Sequence, residues 1–222
     1  ADKLTEQAMA LGADVELENV VSVEDLGSVK RVTTEDGSVF EGKSVILANG
    51  AFPRRASEAW KILAEAKRIV ACDGAADACC RRLGRKADVA IGDMDSLKSA
   101  KSAKRIVKVG DQETNDLSKA INYCAKMRWT KPVVVGALGK REDHSIGNVF
   151  LALDRGVEIV ADYGRFVPVD DRLSLSLPIG TAVSVFASDP ETRMRSRGLQ
   201  WPLDGVKFSS LYCATLNRTN RR

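Results

Sequence analysis

The sequence predicts an α/β protein in which a parallel-sheet domain is followed by a small antiparallel β-sandwich. Between residues 44 and 164, short apolar runs typical of buried parallel strands alternate with helix-like stretches. From residue 165 onward, polar and apolar residues alternate and are interrupted by prolines and glycines, a pattern typical of antiparallel strands. No internal repeat or low-complexity tract interrupts this order.

Residues 1–43 form a first zone that we interpret as an appended segment. We expect a short helix over 4–11, then alternating strands with a hairpin turn at 35–37, where Asp-Gly favours such a turn. This zone has ten acidic and four basic residues and a net charge of −6, whereas the rest of the chain has a net charge of +10.

The second zone, residues 44–164, alternates strands and helices at a spacing that predicts a parallel sheet covered by helices. Sheets of this kind bind ligands beyond the carboxyl ends of their strands. The predicted strands cover 44–50, 68–74, 87–93, 105–111, 132–139 and 157–164, and the predicted helices cover 57–66, 77–83, 115–127 and 145–155.

The third zone, residues 165–222, alternates with a period of two over RLSLSLP (172–178), TAVSVFAS (181–188) and GVKFSSLYCATL (205–216). This alternation predicts strands with one buried face, and we expect them to form the small β-sandwich.

Composition excludes several classes of function. No apolar run approaches the ~18 residues of a membrane span, and the N-terminus lacks the pattern of a signal peptide, so we expect a cytosolic protein without membrane partners. Five cysteines without a CxxC motif and a single histidine, His144, argue against zinc chemistry, thiol redox chemistry and a Ser-His-Asp triad. The basic excess suits a polyphosphate ligand better than nucleic acid, because aromatic residues are only 5% of the chain.

Acidic residues follow four of the predicted strands at their carboxyl ends. Carboxylates gathered at one edge of a sheet repel one another unless cations or hydrogen-bond donors intervene. Mg²⁺ is the expected cation, because it prefers one or two carboxylates together with waters and substrate phosphates. An alternative is that DMDS is a solvated loop in which Ser96 caps the next helix. The acidic residues are Asp73, Asp93, Asp95, Asp111, Asp116 and Asp143.

A glycine-containing turn follows the strand PVVV, with Gly136, Gly139, Lys140 and Arg141. Such a turn before a helix offers backbone N–H groups to phosphate oxygens, and an arginine binds phosphate in a bidentate manner. A packing turn explains the two glycines about as well. The turn is not a P-loop, since GxxxxGK[ST] is absent.

Six short motifs in order resemble the thiamine pyrophosphokinase family, over about residues 44–219. They are SVILANGAFP, VACDGAAD, AIGDMDS, DQETNDLSKA, GALGKREDHSIGN and GLQWPLDG…ATLNRT. The resemblance implies an α/β nucleotide-binding domain over 44–164 and a thiamine-binding β-sandwich over 165–222. It also implies a homodimer with thiamine held at the subunit interface.

The resemblance also implies roles for individual residues. The carboxylates that would surround Mg²⁺ and act in catalysis are Asp73, Asp93, Asp95 and Asp116. The residues that would bind ATP are Asp73, Asp111, Arg141 and Asp143. Those that would bind thiamine are Gln112, Trp201, Thr215 and Asn217. An indole face also suits a flat cationic heterocycle, although packing in the core of the sandwich would equally explain a tryptophan at 201.

Three departures from the family pattern are visible. The family's DQxxTD has Thr114 and Asn115 at its fourth and fifth positions here, and DGAAD has Asp77 where asparagine is usual, which adds negative charge. The chain stops soon after ATLNRT, where the family adds another strand or hairpin, so we expect the sandwich to lack an edge strand.

Residues 1–50 resemble a fragment of a flavin-dependent thioredoxin reductase. Because neither a GxGxxG nor a CxxC motif is present, no redox function follows.

The predicted function is transfer of a diphosphate from Mg-ATP to the hydroxyl of thiamine, giving thiamine diphosphate and AMP. One aspartate, Asp73 or Asp95, is expected to take the hydroxyl proton. The alternatives are a diphosphokinase for another alcohol and a catalytically weak protein that binds thiamine or its diphosphate.

Overall fold

The structure, a computed structural model, describes residues 20–25, 30–34, 39–42, 44–129 and 131–220. The helix predicted over 4–11 and the turn predicted at 35–37 lie outside the described residues. The described part of the N-terminal zone forms a three-stranded antiparallel sheet of β1 (Val20–Asp25), β2 (Lys30–Thr34) and β3 (Val39–Gly42).

A seven-stranded sheet forms the centre of the first compact unit, Ala1–Asp170. Its spatial order is β10-β9-β8-β4-β5-β6-β7, in which β4 to β9 run parallel and β10 pairs antiparallel with β9. The predicted parallel α/β sheet is therefore confirmed. The strands are β4 (Ser44–Leu47), β5 (Arg68–Cys72), β6 (Ala87–Gly92), β7 (Ala103–Lys108), β8 (Val133–Val135), β9 (Glu158–Val160) and β10 (Arg165–Phe166).

Four helices cover the two faces of this sheet. They are α1 (Glu58–Glu65), α2 (Ala75–Leu83), α3 (Asp116–Lys126) and α4 (Glu142–Asp154), and a short 3₁₀ helix spans Ala100–Ser102. Val45 and Leu47 pack with α1 and α2, whereas Ile46 packs with α3 and α4, because successive side chains of a strand point to opposite faces. The central strands β4, β5, β6 and β8 are buried on both faces, which explains why they are continuous apolar runs.

The strand order contains a topological switch point between β4 and β8. After β4 the chain builds β5, β6 and β7 on one side, and it then returns to build β8 and β9 on the other side. The connections that leave β4 and β8 therefore diverge and open a crevice at the carboxyl edge of the sheet, which is where such sheets bind ligands.

The second compact unit, Asp171–Arg222, departs from the predicted sandwich. Its described residues contain one two-stranded antiparallel sheet, of β11 (Ala182–Val185) and β12 (Ala214–Arg218). The strand predicted over 172–178 is not formed: no strand in the described residues pairs with this segment, and Leu173 and Leu175 are exposed. Period-two alternation predicts a strand only where a partner strand completes the hydrogen bonds, and a single sequence does not reveal that partner.

No helix in the described part of the chain has both the length and the apolar character needed to cross a bilayer.

Gly50 provides a test of how tightly β4 and β8 are joined. Its N–H donates to Gly136 O at 2.7 Å, and a Cβ placed on Gly50 would lie 2.5 Å from that oxygen and 2.7 Å from Leu138 O. Both obstacles are backbone atoms, so we expect Gly50→Ala to lower the free energy of unfolding by about 1–3 kcal/mol in urea denaturation.

The matched control is Gly147→Ala in α4, where a Cβ would meet no atom within 4 Å. Alanine in a helix interior is favoured over glycine by about 0.5–1 kcal/mol, so this variant should be slightly stabilised. Equal effects of the two substitutions would contradict the close approach of the two turns.

Candidate active site

Three carboxylates converge at the carboxyl ends of β5 and β6. Asp73 follows β5, whereas Asp93 and Asp95 follow β6, its parallel neighbour. One oxygen from each lies within 4.8 Å of the others, close enough for a single cation to contact all three. The sequence predicted this grouping from the shared strand ends, and the structure brings these side chains together.

The carboxylate of Asp73 is buried and only half satisfied. The residue is 1% exposed, and its backbone is in the left-handed region at φ 44°. Its Oδ2 accepts hydrogen bonds from the Ser96 N–H at 3.1 Å and the Ser96 hydroxyl at 2.8 Å. Its Oδ1 has no hydrogen-bond partner among the described residues. Leaving a buried carboxylate oxygen unpaired is costly, and a bound cation would remove that cost, so these residues fit a divalent metal.

Asp93 and Asp95 differ in their affinity for a proton. The neighbouring carboxyl of Asp73, followed by the negative charge of Asp93, raises the pKa of Asp95. By contrast, the pKa of Asp93 is lowered by the Asp95 backbone N–H at 3.3 Å and then by the Gln112 amide at 3.4 Å. Without a cation, Asp95 therefore holds a proton more readily than Asp93.

Asp116 brings a fourth carboxylate to the same edge from the first turn of α3. Burial raises the pKa of its carboxyl, opposed by Lys119, whose ammonium lies 3.3 Å from Asp116 Oδ1. Gly92 permits the approach, because a Cβ there would lie 3.0 Å from the Cβ of Asp73 and 3.1 Å from Asp116 Oδ1.

Lys119 is a site residue that the sequence reasoning missed. It is 6% exposed, which is rare for a lysine and requires a buried acidic partner. The i, i+3 spacing of Asp116 and Lys119 on one helix face could have indicated the pair.

Asp111 and Gln112 occupy the loop between β7 and α3. Asp111 accepts hydrogen bonds from the Thr114 hydroxyl and, at 2.8 Å, from the Glu113 N–H, and these bonds lower its pKa. Its carboxylate therefore orders its own loop. Gln112 donates to Asp93 Oδ2, so in this structure its amide contacts the acidic cluster.

Asp77, the acidic residue where asparagine was expected, anchors the loop that follows the DMDS motif. It accepts from the Lys98 N–H at 2.7 Å and from the Ser102 hydroxyl at 2.5 Å. Burial favours the neutral acid, but these bonds outweigh it and the pKa of Asp77 is lowered. Its negative charge is therefore used in local hydrogen bonds.

A cleft of about 160 Å³ lies at the switch point between β4 and β8. Lys140 closes one side by donating to the backbone oxygen of Asn49 at 3.2 Å and to its side-chain oxygen at 3.4 Å. Arg81 and Arg82, from the last turn of α2, also line the cleft and make it cationic.

The turn after β8 differs in one respect from the predicted phosphate cradle. Gly136 and Gly139 have φ of 66° and 86°, which glycine adopts without strain. The Gly139 N–H, however, already donates to the Ser145 hydroxyl at 3.2 Å. The expectation of a free N–H at this glycine is therefore wrong, because the first turn of α4 supplies its acceptor.

Arg141, the residue before α4, pairs with Asp143 in the first turn of that helix. The guanidinium donates to both carboxylate oxygens, at 3.1 and 2.6 Å, and this pairing lowers the pKa of Asp143 to about 2. Both side chains are about two-thirds exposed, 65% and 64%. The guanidinium of Arg141 is therefore accessible to solvent, and it is paired with a carboxylate that a phosphate could replace.

In the second unit, Trp201 is held by its backbone while its indole remains exposed. Asn217, which is 6% exposed, accepts from the Trp201 N–H at 3.1 Å and donates to the Trp201 carbonyl at 2.6 Å. The indole is 54% exposed and lies outside the small core of Leu203, Phe208 and Ala214. Core packing therefore does not explain this tryptophan.

Thr215 and Asn217 lie on β12, two residues apart. The hydroxyl of Thr215 donates to the Tyr212 carbonyl at 2.9 Å. Both predicted polar residues thus make local hydrogen bonds within the second unit, and the amide of Asn217 is committed to the backbone of Trp201.

Several solved structures share this fold. Thiamine pyrophosphokinase from Bacillus subtilis is 15% identical, with a TM-score of 0.59 over 81% of this chain and 91% of that one. Thiamin pyrophosphokinase from Geobacillus thermodenitrificans is 18% identical, with a TM-score of 0.53 over 80% and 88%. The enzyme from Candida albicans is 15% identical, with a TM-score of 0.51 over 81% and 83%. At such identities the likeness is one of fold.

The family comparison concerns the sheet that bears the acidic cluster. Residues 59–161 match the family model described as the thiamin pyrophosphokinase catalytic domain. This range contains β5 to β9 and every predicted site residue of the first unit. The match of residues 59–161 to this catalytic-domain model supports the predicted function and enzyme class.

Proposed function

We propose that this chain transfers a diphosphate from Mg-ATP to the primary hydroxyl of thiamine and releases AMP. The observation that supports this most directly is the convergence of Asp73, Asp93 and Asp95, together with the buried Asp73 Oδ1, which has no hydrogen-bond partner among the described residues. The matched catalytic domain covers all three residues.

The metal would be held by Asp73, Asp93 and Asp95, with Asp116 as the fourth carboxylate of the site. Bound Mg²⁺ would neutralise the phosphate oxygens of ATP and the charge that develops on them during transfer. Lys119 would hold Asp116 in place and offset part of the negative charge of the site.

ATP would lie across the carboxyl edge of the sheet, with support from the cationic cleft at the switch point. Lys140 lines that cleft, and Arg141 follows it at the start of α4. Arg141 would exchange its contact with Asp143 for a bidentate contact with phosphate, which its exposure permits. Asp111 would act by ordering the β7–α3 loop beside the nucleotide.

The reaction forms a bond between the thiamine oxygen and the β-phosphorus and breaks the bond between that phosphorus and the oxygen of the leaving AMP. Positioning and charge neutralisation supply most of the catalysis in such transfers. The hydroxyl proton has to leave as the bond forms. Asp95 is the base we favour of the two predicted ones, because Oδ2 of Asp73 already accepts two hydrogen bonds from Ser96.

Thiamine would stack on the indole of Trp201, whose exposure and backbone anchoring make it a ready platform. Asn217 would serve by fixing that platform, while Thr215 and Gln112 would offer polar contacts. The homodimer with thiamine at its interface and the cytosolic location stay predictions from the sequence.

Two alternatives are open to the same experiment. A diphosphokinase for another alcohol would differ mainly in the residues that cover the acceptor. A weakly catalytic thiamine-binding protein is disfavoured by the full set of carboxylates.

Incubation with Mg-ATP and thiamine, followed by separation of the products, distinguishes these functions. The proposal requires AMP and thiamine diphosphate in equal amounts. ADP with thiamine monophosphate would identify a different kinase, whereas tight binding of thiamine without turnover would identify a binding protein.

Asp93→Asn and Asp95→Asn should each lower kcat by roughly a hundredfold or more. Substitution of a residue that hydrogen-bonds a metal ligand already lowers metal affinity or activity by about 10–100-fold. Asp93 and Asp95 are proposed as the ligands themselves. Asp154→Asn is the matched control, since Asp154 is exposed at the end of α4 and should leave kcat unchanged. Near-normal turnover in either of the first two variants would show that the metal is misplaced.

The raised pKa of Asp95 predicts a pH dependence of stability without metal. The folded state binds the proton of this carboxyl more tightly than the unfolded chain, so stability falls as the pH rises through the raised pKa. Asp95→Asn should therefore unfold at a higher temperature than the parent protein at pH 7 in chelator. The higher unfolding temperature of Asp95→Asn should vanish below a pH of about 4. If it persisted there, the claim that neighbouring carboxylates repel Asp95 would be contradicted.

Trp201→Ala should weaken thiamine binding by roughly tenfold to a hundredfold, the value of stacking on an aromatic ring, and leave the affinity for ATP unchanged. The exposed indole adds little to the core, so the free energy of unfolding should change by less than ~1 kcal/mol. Phe208→Ala is the contrast, because burial of Phe208 predicts a loss of about 3–5 kcal/mol.

The predicted shared site has its own test. Mixed dimers of Trp201→Ala and Asp95→Asn chains would contain one site with both defects and one site with neither. Recovery of activity in verified heterodimers would support thiamine binding across the interface, and its absence would place the thiamine site within one chain.

A further inference from the structure

Ser96 is the residue that decides which oxygen of Asp73 remains available. Both polar groups of Ser96, the N–H at 3.1 Å and the hydroxyl at 2.8 Å, reach the same oxygen, Oδ2. The other oxygen, Oδ1, is buried without a partner among the described residues. Ser96 thus donates both of the hydrogen bonds that Oδ2 of Asp73 accepts from the described residues.

The direction of the Ser96 hydroxyl is fixed by Gly74. The Gly74 N–H donates to Ser96 Oγ at 3.1 Å, which directs the hydroxyl proton toward Asp73. A Cβ on Gly74 would lie 2.9 Å from both Ser96 O and Ser96 Oγ, so only glycine permits this approach. The start of α2 and the loop after β6 are thereby joined through one side chain.

This contact also determines where the other carboxylates lie. Ser96 directly follows Asp95, so its attachment to Asp73 and Gly74 draws the Asp93–Asp95 segment against the end of β5. Ser96 thus links the segment that follows β5 to the segment that follows β6, two strands already paired in the sheet.

We propose that Ser96 is a positioning residue for the metal: it binds Oδ2 of Asp73 so that Oδ1 is turned toward the cation, and it holds Asp93 and Asp95 opposite. The proposal rests on the proposed function, in which these three carboxylates hold Mg²⁺. Ser96 itself contacts neither metal nor substrate in this role. A residue that hydrogen-bonds a metal ligand orients that ligand, so its loss lowers the metal affinity by about 10–100-fold.

A purely structural role would give a different result, and Ser102 provides the comparison. Ser102 anchors the far end of the same loop through its hydroxyl bond to Asp77, and it is buried at 5% exposure. Ser102→Ala removes a buried hydroxyl from this loop but leaves the contact with Asp73 intact. The two alanine variants therefore separate loop anchoring from orientation of the carboxylate.

The experiment measures Mn²⁺ binding, with free Mn²⁺ followed by electron paramagnetic resonance, in the full chain and in its Ser96→Ala, Ser96→Thr and Ser102→Ala variants. We expect the dissociation constant to rise at least tenfold in Ser96→Ala and to change less than about threefold in Ser96→Thr and Ser102→Ala. Unfolding curves without metal establish that each variant is folded.

Kinetics give a second readout. Ser96→Ala should require at least tenfold more Mg²⁺ for half-maximal turnover, and saturating Mg²⁺ should restore part of kcat, with KM for thiamine unchanged. Equal loss of Mn²⁺ affinity in Ser96→Ala and Ser102→Ala, or none in Ser96→Ala, would overturn the inference while leaving the proposed function intact. Failure of the unsubstituted protein to bind Mn²⁺ would overturn both.

Discussion

The buried, half-satisfied carboxylate of Asp73 is the constraint on which the site depends. A carboxylate that is 1% exposed requires partners for both oxygens, yet the described residues supply them for Oδ2 alone. The fold holds it there through the Asp73 N–H, which donates to Ile91 O of the neighbouring strand at 2.9 Å. The remaining oxygen, Oδ1, is buried without a partner among the described residues, in a residue grouped with Asp93 and Asp95, and the proposed divalent cation would supply that partner.

Charge balance explains the residues around this carboxylate. Lys119 supplies a buried ammonium next to Asp116, and hydrogen bonds from Asp95 and Gln112 stabilise the charge of Asp93. The neighbouring carboxyl of Asp73 and then the charge of Asp93 raise the pKa of Asp95. The cleft lined by Arg81, Arg82 and Lys140 is cationic and complements the acidic edge of the sheet.

Strand positions and acidic clusters could be predicted because they follow local rules. Apolar runs marked β4 to β9, and parallel strands place the residues that follow them at one edge. Contacts between distant segments could not be predicted. The sequence suggested that Ser96 caps a helix, but no α-helix begins at Ser96. Its hydroxyl instead donates a hydrogen bond to Asp73, 23 residues away in sequence. The alternation over 172–178 was misleading because strand formation depends on a partner that one sequence does not disclose.

Anomalous diffraction from crystals soaked in Mn²⁺ with a non-hydrolysable ATP analogue tests the central claim most directly. The site predicts a peak at coordination distance from Asp73 Oδ1, with oxygens of Asp93 and Asp95 in the same shell and Oδ2 still bonded to Ser96. Phosphate oxygens of the nucleotide should complete that shell. A metal bound elsewhere, or an Asp73 Oδ1 that is bonded to protein while the nucleotide is present, would contradict it.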